Sequence, residues 1–569
     1  MIGTYAAVVA VLVASLAIGQ AALTLCGARR WSWLAPAVGL ALLCAICWAT
    51  VRMPGHGVAS AVVVLVLTVA AALHLRGRLE GGGGALRLGW PVALGALIAA
   101  SLPFVAEGHF GILGSGFNPD MSQHLLATDR LAHGEGSQLL HQGYPLGPHA
   151  IVVALDKGLG VGIVQGFDGL TIAAAIIAPL TALAAFANQP RTRATAAALL
   201  VGLPYLVASY FAQGAFKEVI QALLVLAFVL ALRESTRAWR HLPLRFVPAA
   251  LLAVGSVYTY SFPGLIWLAA ILAVWLIVER TLPVRPLLLA GLVFLVGALP
   301  ELGRMIDFHS FETFDPSGPG LGNLFGQISP FTALGIWPSG DFRLAPGDGA
   351  VPAFAYYLGA AFATTLLLLG IRRAWRNHES SLLAGLASVA LLYIAARAGG
   401  TPYTSAKALE IAAPLLTLGI LLPRPPAGPA VGSWLYLLAA GACSLLALAN
   451  APVGPTSYSP ALTALRPLFA DSPTMVLAPD HLLADEQGER YLVWELRGGR
   501  VCVEPASSAG GRAPVGVRFF VTTDPAGRPF RGLVLRRHAG PYTVWEHRGV
   551  VGGPSPCPLI AVRQARQGP

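Results

Sequence analysis

Fourteen apolar runs, each close to the length of one bilayer crossing, dominate the chain. They fall near 4–26, 33–51, 57–75, 90–106, 167–187, 194–211, 215–232, 246–260, 263–279, 286–300, 351–371, 380–398, 403–422 and 433–449. A crossing takes about 20 predominantly apolar residues. Backbone polar groups in lipid must find partners within their own segment, so runs of this kind fold as helices. Composition agrees, with 55% hydrophobic and only 11% charged residues, against about 25% charged in soluble domains. The first run is too long and too weakly flanked for a cleaved signal peptide. The expected fold is an all-α polytopic membrane bundle of 14 transmembrane helices over residues 1–450, followed by a small mixed α/β domain over 451–569.

The formal charge of +11 would ordinarily suggest nucleic acid or anionic surfaces. Its distribution points elsewhere. Alternate connections, from Arg29-Arg30 through Arg233–Arg245 to Arg424, hold 17 Arg and four acids. The opposite connections and membrane edges hold eight cations and 14 acids, and the tail holds 13 Arg and nine acids. The positive-inside rule then puts the Arg-rich set in the cytoplasm. The expected placement is a multi-pass plasma-membrane protein with its N-terminus and C-terminal domain extracytoplasmic. A lipid bilayer is the expected surroundings and nucleic acid is not an expected partner.

Three segments of the outer set are long, near 107–166, 301–350 and 451–569. Loops beyond about 15 residues are usually functional or disordered, and the Trp, Tyr, Phe, His and Asp content here argues against disorder. In the tail, Met475-Val-Leu, Val517-Arg-Phe-Phe-Val, Leu533-Val-Leu and Leu559-Ile-Ala-Val alternate with Gly/Pro turns, a strand pattern. Cys26, Cys44, Cys47 and Cys443 lie in apolar runs, where a thiol behaves as a small hydrophobe. Cys502 and Cys557 fall in the tail, where a disulfide between them is plausible. Cys44-Ala-Ile-Cys47 has CxxC spacing but lies inside an apolar run, and no metal-binding residue is assigned.

The first long loop reads Gly116-Phe-Asn-Pro-Asp-Met-Ser-Gln-His-Leu-Leu-Ala-Thr-Asp-Arg-Leu-Ala-His133. Asn118 suits an N-cap and Pro119 the first helical position. The helix should lie along the membrane surface through Met121, Leu125 and Ala132. Asp120 and His124 are four apart and share one face, whereas Asp129 points about 180° away from Asp120. An acid opening a juxtamembrane helix in a long outer loop, then Tyr144-Pro-Leu-Gly-Pro-His149 and another apolar helix, resembles the GT-C glycosyltransferases. Gly214-Ala-Phe-Lys-Glu218 and Tyr403-Thr-Ser-Ala-Lys-Ala-Leu409 are also similar to segments of large actinobacterial multi-pass membrane proteins of this type. The resemblance covers the layout of residues 90–420. It implies transfer of a sugar from a polyprenyl-phosphate donor to a cell-envelope glycan, lipid or protein acceptor on the outer face. Two departures stand out. Four apolar runs precede the acidic loop instead of one, and the loop lacks an adjacent Asp-Asp or Asp-Glu pair, which puts a divalent cation in doubt.

Sugar transfer to a hydroxyl needs a base, and Asp120 is the expected catalytic residue. His124 would orient Asp120 or contact sugar, with Tyr144 and His149 as further substrate contacts; their alternative is a structural role at a turn and helix entry. The leaving lipid phosphate needs cations. Only three of the chain's 38 cations are Lys, namely Lys157, Lys217 and Lys407. Lys217 and Lys407 fall at the outer starts of two runs, where ionisable groups are costly and mark function. Glu218 and Glu410 are their nearby acids, Glu410 standing three residues from Lys407. Arg397, at the outer end of another run, is a further candidate. In the second long loop Trp337, Asp341 and Arg343 could stack on and hydrogen-bond a sugar, while Trp337 would equally suit an aromatic belt. The expected activity is thus an inverting, GT-C-like transferase. The alternatives are a lipid-linked oligosaccharide flippase or other transporter, and a non-catalytic envelope protein whose tail binds polysaccharide.

Overall fold

A computed structural model describes residues 1–118, 120–134, 137–279, 283–309, 320–421, 431–469, 472–479, 486–497, 500–523 and 527–548. The chain divides into two compact units, one of Met1–Asn118 with Gly143–Gly454 and one of Pro119–Gln142 with the residues from Pro455 onward. The first unit is helical and has the architecture of a multi-pass membrane protein. Ten of its described helices are long and apolar enough to cross a bilayer, or eleven if one bent pair forms a single span. Ala35–Val51 is a shorter apolar helix.

Burial sorts these helices. The most apolar windows of Ile163–Phe186 and Pro402–Leu421 are 89% and 83% buried, whereas those of His56–Leu75 and Val284–Phe308 are 11% buried. The first pair forms the centre of the unit, and the second pair presents side chains such as Leu65, Leu288 and Val296 outward. Association inside lipid has no hydrophobic driving force and relies on close packing at small residues. Ile2–Leu25 and Ala35–Val51 show this: a Cβ on Gly39 would fall 1.8 Å from the Ser15 carbonyl oxygen, and one on Gly19 1.8 Å from that of Ala35. Gly39→Ala is therefore expected to cost at least about 2 kcal/mol by forcing the two backbones apart. Gly291→Ala, at a helical glycine with nothing within 4 Å, should instead be neutral or gain up to about 1 kcal/mol. Thermal unfolding of the two variants in one detergent checks the contrast.

One apolar run is broken and two others join. The run expected at 194–211 is two helices, Arg191–Gly202 and Tyr205–Ala212, bent by 53°. Pro204 between them has no N–H to continue the helix and disfavours helical geometry at Leu203. The runs at 246–260 and 263–279 join as Val247–Val278, interrupted at Ser261 with φ 59° and ψ −152°. An uninterrupted helix would separate residues 246 and 275 by about 43 Å, yet the rings of Phe246 and Trp275 are 5.6 Å apart. The segment is thus a hairpin that reverses at Ser261. Gln221 holds the reversal on both arms, donating to the Gly264 carbonyl at 3.2 Å and accepting from Ser256 Oγ at 2.9 Å.

The second unit carries a five-stranded sheet of β3 (Thr474–Ala478), β4 (Val501–Pro505), β5 (Phe519–Thr523), β6 (Leu533–Ala539) and β7 (Tyr542–His547), in the order β4-β3-β5-β7-β6. β3 is parallel to β4 and β5, and β7 is antiparallel to β5 and β6. Three of the four apolar runs noted in the tail are β3, β5 and β6; Leu559-Ile-Ala-Val lies outside the described residues. Leu462, Phe469 and Val493 pack on one sheet face with Val476, Phe519 and Val544, and Phe520, Phe530 and Leu533 pack on the other. Leu126 of the first-loop helix also packs on this first cluster. The helix expected along the membrane surface is therefore part of the sheet domain's fold. Cys502 is disulfide-bonded; Cys557, its expected partner, lies outside the described residues. In the helical unit, β1 (Ile112–Leu113) pairs with β2 (Val453–Gly454) just before the chain enters the second unit.

Candidate functional site

Gly214, at φ +69°, turns the chain sharply between Tyr205–Ala212 and the next helix, Phe216–Thr236. Only a residue without Cβ adopts this conformation freely. The turn sets Lys217 and Glu218 in the first helical turn, where an acid is favoured by the exposed N–H groups. Glu218 is 4% exposed. Its Oε1 receives Lys407 Nζ, from the helix Pro402–Leu421, at 3.0 Å. The Tyr260 hydroxyl, beside the Ser261 reversal, donates to the same oxygen at 3.1 Å. Three distant segments thus converge on one carboxylate.

Tyrosine rings line both ammonium groups. Lys407 Nζ lies 4.3 Å from the Tyr403 centroid, and Lys217 Nζ lies 3.9 Å from that of Tyr144 and 5.9 Å from that of Tyr260. Such cation–π contacts hold a charge in apolar surroundings without neutralising it. Below them, His149 is fully buried, edge-on to Tyr144, Phe167 and Phe216 at 6.3, 5.6 and 5.5 Å. It supports the ring that carries Lys217.

Glu410, one turn beyond Lys407, is fully buried, and neither of its carboxyl oxygens has a hydrogen-bond partner among the described residues. The neighbouring Tyr210 hydroxyl is equally unpaired among them. The pairing expected from spacing, Lys407 with Glu410, is replaced by the long-range pair Lys407–Glu218. Buried polar atoms left unpaired are costly. The cluster therefore combines two lysines, one engaged carboxylate and one unengaged carboxyl, a set able to hold an anion and to exchange a proton with a hydroxyl.

The second loop is fastened to the same helix starts. Gln327 Nε2 donates to Ser405 Oγ at 2.6 Å, and Tyr403 N to the Gly320 carbonyl at 3.1 Å. Asn323 donates to Gln213 and, at 2.9 Å, to the Phe117 carbonyl. Arg343 grips Asp341 at 2.7 Å and lies between the rings of Phe117 and Phe325, at 4.2 and 4.7 Å. Trp337 is 1% exposed and packs edge-on against Tyr356 at 4.9 Å, so it is a core residue and no belt anchor. Arg397 is exposed near the end of Ser380–Gly399.

Asp120 and His124 belong to the other unit. The helix runs from Met121 to Ala132, and Asp120 precedes it with helical angles; Pro119, the expected first helical position, lies outside the described residues. Asp120 accepts from Gln123 Nε2 at 3.2 Å, and His124 is 5% exposed. Asp129, on the opposite side, meets His133 at 3.8 Å. It also acts on Arg466, whose guanidinium burial holds below its ordinary value.

No group of three or more His, Cys, Asp or Glu among the described residues is arranged to hold a metal ion. Tyr260, Tyr210 and Gln213 escaped the sequence reading of the site, although Tyr260 sits in Gly255-Ser-Val-Tyr-Thr-Tyr-Ser-Phe-Pro-Gly264, whose composition already marks a break. No protein-family model matches the chain, and no curated protein matches it either.

Proposed function

We propose that the chain is a membrane glycosyltransferase that moves a sugar from a polyprenyl-phosphate donor to a cell-envelope acceptor on the outer face, with fourteen crossings and both ends outside. The observation that carries this reading is the meeting of Lys217, Lys407 and Glu218 over tyrosine rings at the starts of two helices. Ammonium groups at this depth suit a phosphate whose lipid tail stays in the bilayer. Asp120 is the proposed base. It would take the proton of the acceptor hydroxyl as that oxygen bonds to the anomeric carbon. The carbon–oxygen bond to phosphate breaks with its electron pair, and polyprenyl phosphate leaves with inversion. Asp341 and Arg343 are the proposed sugar contacts of the helical unit. Asp120→Asn is expected to reduce transfer in membranes at least about 100-fold, the usual size of a general-base contribution. Full transfer by this variant would remove Asp120 from the mechanism.

A specific observation favours a second reading, the flippase or transporter. Transporters build central sites from interrupted helices, and here the Ser261 reversal delivers Tyr260 to Glu218 while a 53° bend precedes Lys217. Proteoliposomes loaded with a fluorescent polyprenyl-phosphate sugar separate the two. Translocation without any transfer product supports the transporter.

A further inference from the structure

The tail's modest net charge conceals a strong separation. Residues 455–499 hold three Arg and six acids, whereas 500–548 hold eight Arg and three acids, Glu504, Asp524 and Glu546. The basic stretch builds four of the five strands, and its arginines crowd the β5-β7-β6 half of the sheet. Arg518 stands just before β5, Arg536 and Arg537 lie in β6, and Arg512 and Arg531 are bridged through their backbones beside the start of β6. All five are exposed, as is Arg528 in the approach to β6. Glu546 counters two of them, at 3.2 Å from Arg518 and 3.8 Å from Arg536. Arg512, Arg528, Arg531 and Arg537 have no ion pair among the described residues.

Edge protection explains only part of this. β6 is an outer strand with a bulge between Leu535 and Arg537, and a bulge with charges blunts an edge against pairing with another chain. The opposite edge, β4, carries Glu504 and Pro505 and no arginine. Protection therefore accounts for Arg536 and Arg537 and leaves Arg512, Arg518, Arg528 and Arg531. Arg518 meets Arg536 at Glu546, and Arg512 lies beside Arg531, so the charges form an extended group that matches several anions better than a single one. Exposed ion pairs are individually weak, and many at once give useful affinity with strong salt dependence. The planar guanidinium fork matches two phosphate oxygens.

We propose that the β5-β7-β6 half of the sheet is a docking surface for a linear polymer carrying repeated phosphate groups. This holds whether the helical unit transfers or transports. The test uses the full chain in phosphatidylcholine nanodiscs, with fluorescently labelled long-chain polyphosphate followed by anisotropy. Saturable binding that weakens with salt is expected, and orthophosphate at equal phosphorus should not compete. Replacing Arg512, Arg528, Arg531 and Arg537 together by Gln should weaken binding at least about tenfold. Glu546→Gln should strengthen it about two- to threefold by releasing Arg518 and Arg536, a gain that a damaged fold cannot produce. Unchanged affinity in the fourfold variant, no gain in Glu546→Gln, or competition by orthophosphate would overturn the proposal. Loss of polymer binding in phosphatidylglycerol-rich nanodiscs would overturn it too and assign the surface to lipid headgroups.

Discussion

Glu218→Gln is expected to destabilise the helical unit by about 3–5 kcal/mol, because it leaves Lys407 buried without its counter-charge. Lys407→Met should cost a similar amount by leaving the Glu218 carboxylate without its direct ion-pair partner. The double variant should recover most of the loss, since a buried ion pair replaced by groups of similar volume is often neutral. The Lys407–Glu218 distance is 3.0 Å, with side-chain exposures of 20% and 5%, so solvent screening does little to soften either single change. Thermal unfolding of the four proteins in one detergent gives the coupling. A coupling below about 0.5 kcal/mol, the level of independent sites, would mean that the two charges do not depend on one another. Glu410→Gln is the informative companion. It removes no hydrogen bond seen among the described residues and should leave the fold intact, so any loss of transfer it causes reflects chemistry.

That pairing also shows where sequence reasoning stops. Scarcity of lysine in an arginine-rich chain singled out Lys217 and Lys407, and both lie in the cluster. Helical spacing then suggested Glu410 as the partner of Lys407, because i, i+3 and i, i+4 neighbours are the contacts a helical sequence displays directly. Glu218 becomes the partner through the packing of two helices, which no local pattern encodes. The run at 246–279 contains two apolar arms around a Tyr/Ser/Pro/Gly centre, so its interruption was visible. Counting 246–260 and 263–279 as two crossings already implies a reversal between them, and the Phe246–Trp275 contact agrees; the turning point at Ser261 and its bracing by Gln221 are what composition leaves unplaced. The helix of the first loop is a third case. An apolar stripe through Met121 and Leu125 says that a face is covered without saying by what. A membrane surface and a sheet satisfy it equally, and Leu126 packs on the sheet domain's core. Trp337 followed the same logic, since an indole suits a membrane boundary and a protein interior alike.

Lys217 and Lys407 are expected to part company under substitution. Lys407 is held by a carboxylate, and its charge serves the fold first. Lys217 lies over Tyr144 and Tyr260, rings that stabilise an ammonium yet leave it attractive to an anion. Lys217→Met removes these cation–π contacts, worth about 0.5–2 kcal/mol. On the transferase reading it should raise the KM for the polyprenyl-phosphate donor about 10- to 100-fold, as loss of a charge-assisted contact does, with a smaller change in kcat. Lys217→Arg keeps the charge, but a planar guanidinium fits a site shaped around a point charge poorly. Partial recovery of KM is expected from it. Steady-state kinetics with donor and acceptor varied separately gives the decisive split. A change confined to the acceptor KM would move Lys217 from the donor phosphate to the sugar-accepting side, and an unchanged donor KM would leave the cluster a structural ion network with no part in binding.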